Sequence, residues 1–207
     1  MRHINRRGPA TLTDAEVKAL LEATSRSEGD FRDHMLLAIA LGTGLRVGEI
    51  VSLNVADVSN GKGVKGLWAL RAETTKGDKG GTIALPDRLR RKVSAFLKWK
   101  TERAESLDPQ APVFVSRGGG RAGKSGGGRL SVRGAQQVFF EWQKRCGFDR
   151  RVHFHALRHT FCTSLWKLTG DLRLVQQAAR HSSPSTTSIY THATTEDVLA
   201  AVQKLPC

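Results

Sequence analysis

Tyr190 is the only tyrosine of the chain and lies in a polar stretch, SPSTTSIYTHAT, close to the C-terminus. A phenol becomes a nucleophile once a base takes its proton, but it also serves as an ordinary surface aromatic whose hydroxyl meets water. Taken alone, the stretch favours the surface role, so the other chemistry-bearing residues must decide between the two.

His155 and His159 stand four residues apart, and Cys162 follows three residues later. This spacing raises the question of a zinc site, but no second cysteine pair and no acidic ligand completes it. Cys146 and Cys207 bring the cysteines to an odd number of widely spaced residues, which predicts reduced thiols and no disulfide framework. The sequence therefore predicts no metal site.

The charge balance is strongly basic, with 33 Lys and Arg against 19 Asp and Glu, a formal net charge of +14. Such a surplus indicates a polyanionic partner, either a nucleic acid or an acidic membrane face. The membrane alternative is weak because no apolar run approaches the roughly 20 residues that span a bilayer. The start, MRHINRRGPATLT, also lacks the apolar core of a secretion signal. We expect one cytoplasmic domain that works beside DNA or RNA.

The elements that would position these groups are predicted to be mainly α-helical, with a small antiparallel β-sheet, an α+β fold. Thr13 to Glu16 form a capping box ahead of a first helix, and the run MLLAIALG predicts a buried helix that ends at Gly42 or Gly44. Between Val55 and Pro86, the segments LWALRAE and GTIALP predict a sheet whose hairpin tip is residues 76–80. Further helices are predicted around 89–97, at 132–147, 155–168, 172–180 and 196–205, and PVFVS is predicted to be buried and extended. The apolar face of the 155–168 helix, with Leu157, Phe161, Leu165 and Leu168, is predicted to lie in the core.

A glycine-rich run, SRGGGRAGKSGGGRLSVR, carries no acidic residue, and its density of glycine predicts a mobile loop at 117–129 inside the domain. Its cations are Arg117, Arg121, Lys124, Arg129 and Arg133. A solvated surface loop and a loop that contacts phosphates remain about equally favoured.

Three segments in order, GTGLRVGEI, HALRHTF and ARHSSPSTTSIYTH, resemble the motif boxes of the tyrosine recombinases, the phage-integrase and Xer group. TTKGDKGGTIALP is similar to the hairpin that these enzymes place between the first two boxes, so the resemblance runs from about residue 12 to residue 192. It implies a tyrosine recombinase catalytic-domain fold. It also implies a site-specific recombinase that cleaves and rejoins DNA through a 3′-phosphotyrosine intermediate, in integration, excision or inversion.

The resemblance assigns a catalytic role to six residues: Arg46, the hairpin lysine Lys76, the His155 and Arg158 pair, the third-box His181, and the nucleophile Tyr190. DNA contacts are expected from Lys79, Arg117, Arg121, Lys124, Arg129 and Arg180. The family further implies double-stranded DNA as partner, a homo-oligomer, a tetramer on DNA, with room for accessory DNA-bending proteins, and no cofactor.

The chemistry of phosphodiester cleavage suits these residue types. Arg46 and Arg158 offer planar, always protonated forks that match the non-bridging phosphate oxygens, so no metal is needed for charge neutralisation. Tyr190, with an ordinary pKa of about 10, needs a base, and His155 is the best candidate. Lys76 at the hairpin tip would protonate the leaving 5′-oxygen, and the third-box histidine would donate a hydrogen bond to the phosphate.

Each assignment has a plainer competitor. Arg46 could form an ordinary salt bridge with Glu49, which lies three residues later in the chain. Lys76 competes with Lys79 for the role of acid, and His155 could simply bond to backbone at a helix N-terminus.

Two departures from the family pattern stand out. The third box normally reads Leu-Gly-His, whereas this chain has Ala179-Arg180-His181, so that Arg180 either strains the backbone or changes the turn. Most members also carry a helical core-binding domain ahead of the catalytic one, and here the catalytic pattern starts almost at Met1. We expect a single catalytic domain over 1–207 without that domain, either a single-domain recombinase or a fragment of a longer integrase.

Two other functions compete with recombination. One is a DNA-binding module that has kept the fold and lost the reaction. The other is a type IB topoisomerase-like enzyme that relaxes DNA. The full set of catalytic residue types argues against the first, and the short length and the integrase-like third box argue against the second.

Overall fold

A computed structural model describes residues 10–26, 30–74, 80–117 and 128–180. Within these ranges the chain forms eight α-helices and one antiparallel pair of strands. They are α1 (Asp14–Ser25), α2 (Phe31–Thr43), α3 (Val47–Ser52), α4 (Val55–Val58), β1 (Leu67–Leu70), β2 (Gly81–Ala84), α5 (Asp87–Glu102), α6 (Val132–Arg145), α7 (His155–Thr169) and α8 (Leu172–Ala179). The mainly helical fold with a small sheet is confirmed.

Helix α1 begins at the predicted capping box. The Thr13 hydroxyl accepts a hydrogen bond from the backbone N–H of Glu16 at 3.2 Å, and the Glu16 carboxylate accepts one from the Thr13 N–H at 2.7 Å. These two bonds satisfy N–H groups that the first turn of a helix cannot pair internally, so the start of α1 is fixed by local sequence.

Helix α2 is the centre of the core. Met35, Leu36, Leu37 and Ile39 are fully buried, because α2 packs against α1, α5 and α7 on different sides. This surrounding packing explains why its sequence is apolar almost all round, as the prediction of a buried helix required.

The predicted antiparallel sheet is present, whereas residues 76–79 of its predicted tip lie outside the described residues. Strands β1 and β2 pair antiparallel, with Leu67 opposite Ala84 and Leu70 opposite Gly81. PVFVS is buried at Val113 and Phe114 as predicted, but the backbone bends at these two residues, and the neighbouring Pro112 and Val115 form isolated bridges to Asn54 and Arg129.

One predicted core position is wrong. Leu168 on α7 is 83% exposed. The side chains of α7 that pack around Val175 of α8 are those of Phe161, Leu165 and Trp166, so Leu168 lies outside this small cluster. None of the helices that the structure describes is long and apolar enough to cross a membrane.

Candidate active site

The site is built around the end of α2, where Gly44 caps the helix in the left-handed conformation with φ 63°. A Cβ at this position would lie 2.3 Å from the ring of Phe161 on α7, so only glycine fits. The turn brings α2 and α7 together and places Arg46, two residues later, at the N-cap of α3.

Arg46 is held by the buried carboxylate of Glu49. The backbone N–H of Arg46 donates to Oε2 of Glu49 at 2.7 Å, and its Nη1 donates to Oε1 at 3.1 Å. Only 2% of the Glu49 side chain is exposed, against 33% for Arg46. The salt bridge that competed with a catalytic role does form, yet it leaves a third of the Arg46 side chain open to a ligand.

Arg158 on α7 is buried and ties two elements together. Its Nη1 donates to the Gly44 carbonyl at 2.6 Å and its Nη2 donates to the carbonyl of Ala179 at the end of α8. Burial and the nearby charge of Arg46 both lower the pKa of Arg158, although a guanidinium keeps its charge at neutral pH. The two bonds use two of five N–H groups, so the fork has donors beyond those that fix it.

His155 is the first residue of α7 and lies one helical turn before Arg158, with an exposed side chain. Desolvation of its ring, then the charges of Arg158 and Arg46, lower the pKa of His155 below its usual 6.5. Its ring meets the ring of His159 edge to face, with the centroids 4.6 Å apart. The lowered pKa favours the neutral ring, which can accept a proton, and His155 lies beside two arginines.

Arg180 follows α8 and adopts the left-handed conformation, with φ 54° and ψ 48°. Its Nη2 donates to Oε2 of Glu49 at 2.8 Å, and 14% of its side chain is exposed. Of the two alternatives at this departure from the family pattern, the left-handed conformation corresponds to a strained backbone. The link from the third box to Glu49 was not predicted; its only signal in the sequence is the arginine where the family has glycine.

A model of the phage integrase family matches residues 10–197 of the chain. The chain belongs to the phage integrase family. Tyrosine recombinase XerA of Pyrococcus furiosus is 31% identical over 196 residues, which cover 95% of this chain and 62% of that protein. Tyrosine recombinase XerC of Proteus mirabilis is 32% identical over 184 residues, 89% of this chain and 55% of the relative. The chain thus spans between half and two thirds of these relatives.

Solved structures agree with the family assignment. The crystal structure of XerA recombinase superposes with a TM-score of 0.75 at 28% identity, and covers 97% of this chain and 67% of that one. XerH site-specific recombinase, crystallised with a difH substrate in a post-cleavage complex, has a TM-score of 0.72 at 23% identity, over 99% of this chain and 55% of that one. The tyrosine recombinase catalytic-domain fold is confirmed.

Two of the cations that this integrase-family chain is expected to offer to DNA also bind protein groups. Arg129 donates from Nη1 to the carbonyls of Val51 and Leu53, and from Nη2 to Oδ1 of Asn54 at 2.5 Å. Arg117 lies 3.3 Å from a carboxylate oxygen of Asp33. These contacts give both arginines a part in holding the fold, and their contact with DNA stays a prediction.

The remaining site residues lie outside the described part of the chain. They are Lys76 and Lys79 of the hairpin, Arg121 and Lys124 of the glycine-rich loop, His181, and Tyr190. The predicted helix at 196–205 lies outside it as well. The structure thus brings together Arg46, His155, Arg158 and Arg180, and the catalytic or DNA-binding roles of all the predicted site residues stay predictions.

Proposed function

We propose that this chain is the catalytic part of a site-specific DNA recombinase, in which Tyr190 cleaves one strand and forms a 3′-phosphotyrosine. The observation that carries the proposal is the buried guanidinium of Arg158, whose hydrogen bonds to described residues go to two neutral carbonyls. The Glu49 carboxylate offsets part of this charge, but it also pairs with Arg46 and Arg180, and a buried charge that is not fully compensated is costly. Next to the partly open Arg46, it makes a positively charged position that suits a phosphate.

The described positions of Arg46, His155 and Arg158 support a division of labour in which the roles of Lys76 and Tyr190 rest on the family resemblance. Arg46 and Arg158 hold the non-bridging oxygens of the scissile phosphate, where negative charge accumulates during attack. His155 takes the phenolic proton as Tyr190 forms its bond to phosphorus. Lys76 gives its proton to the 5′-oxygen as the bond from phosphorus to that oxygen breaks.

The reaction stores the energy of the broken bond. The phosphotyrosine is itself a phosphodiester, so a 5′-hydroxyl from another strand can attack it and rejoin DNA without ATP. His181 contributes a hydrogen bond to the phosphate. This sequence of steps uses only protein side chains and DNA.

The proposed partner is double-stranded DNA in the cytoplasm. The net charge of +14 supports a polyanionic ligand, and the structurally similar XerH recombinase was crystallised with a palindromic difH substrate. A homo-oligomer on DNA, a tetramer, follows from the need to exchange strands between two duplexes, and accessory DNA-bending proteins would add to such an assembly.

The test is covalent capture on nicked duplexes, in which a short fragment is lost after cleavage so that rejoining cannot occur. Because the target sequence is unknown, a pool of such duplexes with a randomised centre is incubated with the chain, denatured and resolved on a gel. We expect a protein-sized shift of the strand that carries the new 3′ end, and none on the 5′ side.

Tyr190→Phe is the matched variant, since it removes one oxygen, no charge and the only phenol of the chain. It should abolish the adduct and leave DNA affinity nearly unchanged. An adduct that survives in this variant would refute the nucleophile, and binding without any adduct in the unmodified chain would identify a DNA-binding module instead.

A further inference from the structure

Arg180 occupies a backbone conformation that glycine adopts freely and that L-residues with a side chain avoid. Among the residues that the structure describes, only Arg180 and Ala104 have a positive φ without being glycine. A strained residue of this kind persists where the surrounding contacts fix it, and such positions gather at functional sites. The contacts of the Arg180 side chain therefore indicate which function keeps the residue in this strained conformation.

The main contact is with the carboxylate that also holds Arg46. Oε2 of Glu49 accepts hydrogen bonds from Nη2 of Arg180 and from the backbone N–H of Arg46, at 2.8 and 2.7 Å, while Oε1 accepts from Nη1 of Arg46. Glu49 is buried, so these bonds are poorly screened by water. One carboxylate thus joins two guanidinium groups, and the three groups keep a net charge of +1.

The side chain of Arg180 is enclosed on another side by the hairpin. A Cβ at Gly81 on β2 would lie 2.9 Å from Cδ of Arg180, so the glycine leaves the space through which the arginine passes. The Nε of Arg180 is buried and has no hydrogen-bond partner among the described residues. With 14% of its side chain exposed, Arg180 faces the interior of the site more than a DNA surface.

We propose that Arg180 is a positioning residue for strand cleavage, because it holds the Glu49 carboxylate in the place where Glu49 orients the guanidinium of Arg46 toward the scissile phosphate. The inference rests on the proposed recombinase function. The arginine replaces a glycine of the family pattern and couples the third box to the first through a contact between residues 131 positions apart.

The test compares Arg180→Gly with Arg180→Lys in single-turnover adduct formation on the nicked duplex. Glycine releases the backbone and removes the contact with Glu49, and we expect cleavage to slow by about tenfold to a hundredfold, as for other residues that orient a catalytic group. Lysine keeps the charge but has three N–H donors in place of the five of the planar guanidinium, and it should retain part of the rate. DNA affinity should stay within about twofold for both.

Arg173→Met is the matched control, because Arg173 is exposed on the same helix and its loss changes the net charge by the same amount as Arg180→Gly. We expect it to leave the cleavage rate unchanged. The melting temperature of each variant separates a rate effect from unfolding. A loss of cleavage by Arg180→Gly that is matched by a loss of folded protein, with Arg180→Lys at the full rate, would overturn the inference.

A second arm asks whether Arg180 acts through Arg46. Replacing a non-bridging oxygen of the scissile phosphate by methyl removes its charge, so the defects of Arg46→Ala and Arg180→Gly should both shrink on this substrate. The double variant should cleave the ordinary phosphodiester no more slowly than Arg46→Ala alone. Defects that multiply in the double variant would show that Arg180 contacts the phosphate independently, and a defect that is equal on both substrates would show a purely structural role.

The two proposals fail in different ways. If the unmodified chain forms no adduct, the recombinase function fails and the role of Arg180 in it fails as well. If the unmodified chain and Arg180→Gly form the adduct at the same rate, only the inference about Arg180 fails.

Discussion

His34 and His155 have lowered pKa values for different reasons. His34 is buried where α1, α2 and α5 meet, and burial followed by the charge of Lys92 lowers its pKa to about 4. Both ring nitrogens have partners, since Nδ1 lies 2.9 Å from the hydroxyl of Thr24 and Nε2 lies 2.8 Å from Nζ of Lys92. His155 is exposed, and after desolvation the charges of Arg158 and Arg46 lower its pKa.

The difference shows that a lowered pKa does not by itself mark a functional histidine. The Thr24 hydroxyl donates to the Leu20 carbonyl, so it accepts a hydrogen bond from the His34 ring. Both nitrogens of His34 are therefore used in contacts between helices, and the residue has a structural role. At His155 the arginines that lower the pKa are the groups that a phosphate would neutralise. A bound phosphate should therefore raise the pKa of His155 and leave His34 as it is.

The largest expected effect is the loss of cleavage when Lys76 is replaced. It separates the proposed acid, Lys76, from the proposed base, His155. Lys76→Ala should slow cleavage by about 10² to 10⁴, the range typical of a proton-transfer group. Replacing the bridging 5′-oxygen by sulfur should restore the rate, because a thiolate leaves without a proton. Single-turnover rates on the two substrates measure both effects.

Two variants control this experiment. His155→Ala should be slow on both substrates, since a better leaving group does not replace the base, and Lys79→Ala should be normal on both. Rescue of Lys79→Ala in place of Lys76→Ala would show that the other hairpin lysine is the acid.

Next in size is the loss of the cation beside each histidine. Arg158→Ala should lower cleavage by about 10² to 10³, the usual cost of one donor to the developing negative charge. Lys92→Ala removes the corresponding charge beside His34 and should leave the cleavage rate unchanged. Arg158→Lys keeps the charge but loses the planar fork, and it serves as a control for a folding defect in Arg158→Ala. Equal losses of cleavage rate in Lys92→Ala and Arg158→Ala would contradict the distinction between a structural His34 and a functional His155.

A smaller effect concerns stability against pH. The folded-state pKa of His34 lies below the unfolded value of about 6.5, so the unfolded state binds the proton first as the pH falls. His34 should therefore lower the free energy of unfolding progressively from pH 6.5 to about 4, by on the order of 3 kcal/mol. Chemical denaturation at a series of pH values should show a shallower loss in His34→Gln. An unchanged loss would mean that His34 titrates normally in the folded protein.

The smallest expected effect involves neither histidine. Shortening residues 118–128 removes Arg121 and Lys124, and the slope of log affinity against log salt should flatten by about two units if both contact phosphates. The cleavage rate at saturating DNA should be unchanged. An unchanged slope would identify the segment as a solvated loop.

Much of the fold could be predicted from local sequence because its signals are local. The capping box at Thr13 fixes the start of α1, and the apolar run before Gly44 fixes the end of α2. α4 was missed, since four residues carry no readable period. Leu168 was placed in the core because periodicity indicates which face of a helix is apolar, but not how far along the helix its neighbours extend.

The site divides in the same way. Arg46, His155 and Arg158 could be predicted because each lies in a short motif box whose residue spacing is visible in the local sequence. The partners of the other cations could not be predicted, since Arg180 reaches Glu49 and Arg129 reaches Val51 only once distant segments have packed. The sequence identified these arginines as cations, whereas the packing of distant segments determined which protein groups they contact.

The most direct test of the central claim is the titration of both histidines with and without DNA. The Tyr190→Phe variant is bound to a duplex selected from the cleaved pool, and the ring carbon signals of His155 and His34 are followed by NMR against pH, assigned by His155→Gln and His34→Gln. We predict that DNA raises the pKa of His155 and leaves that of His34 near 4. If DNA leaves the pKa of His155 unchanged, or shifts both histidines alike, the position beside Arg46 and Arg158 does not receive the phosphate.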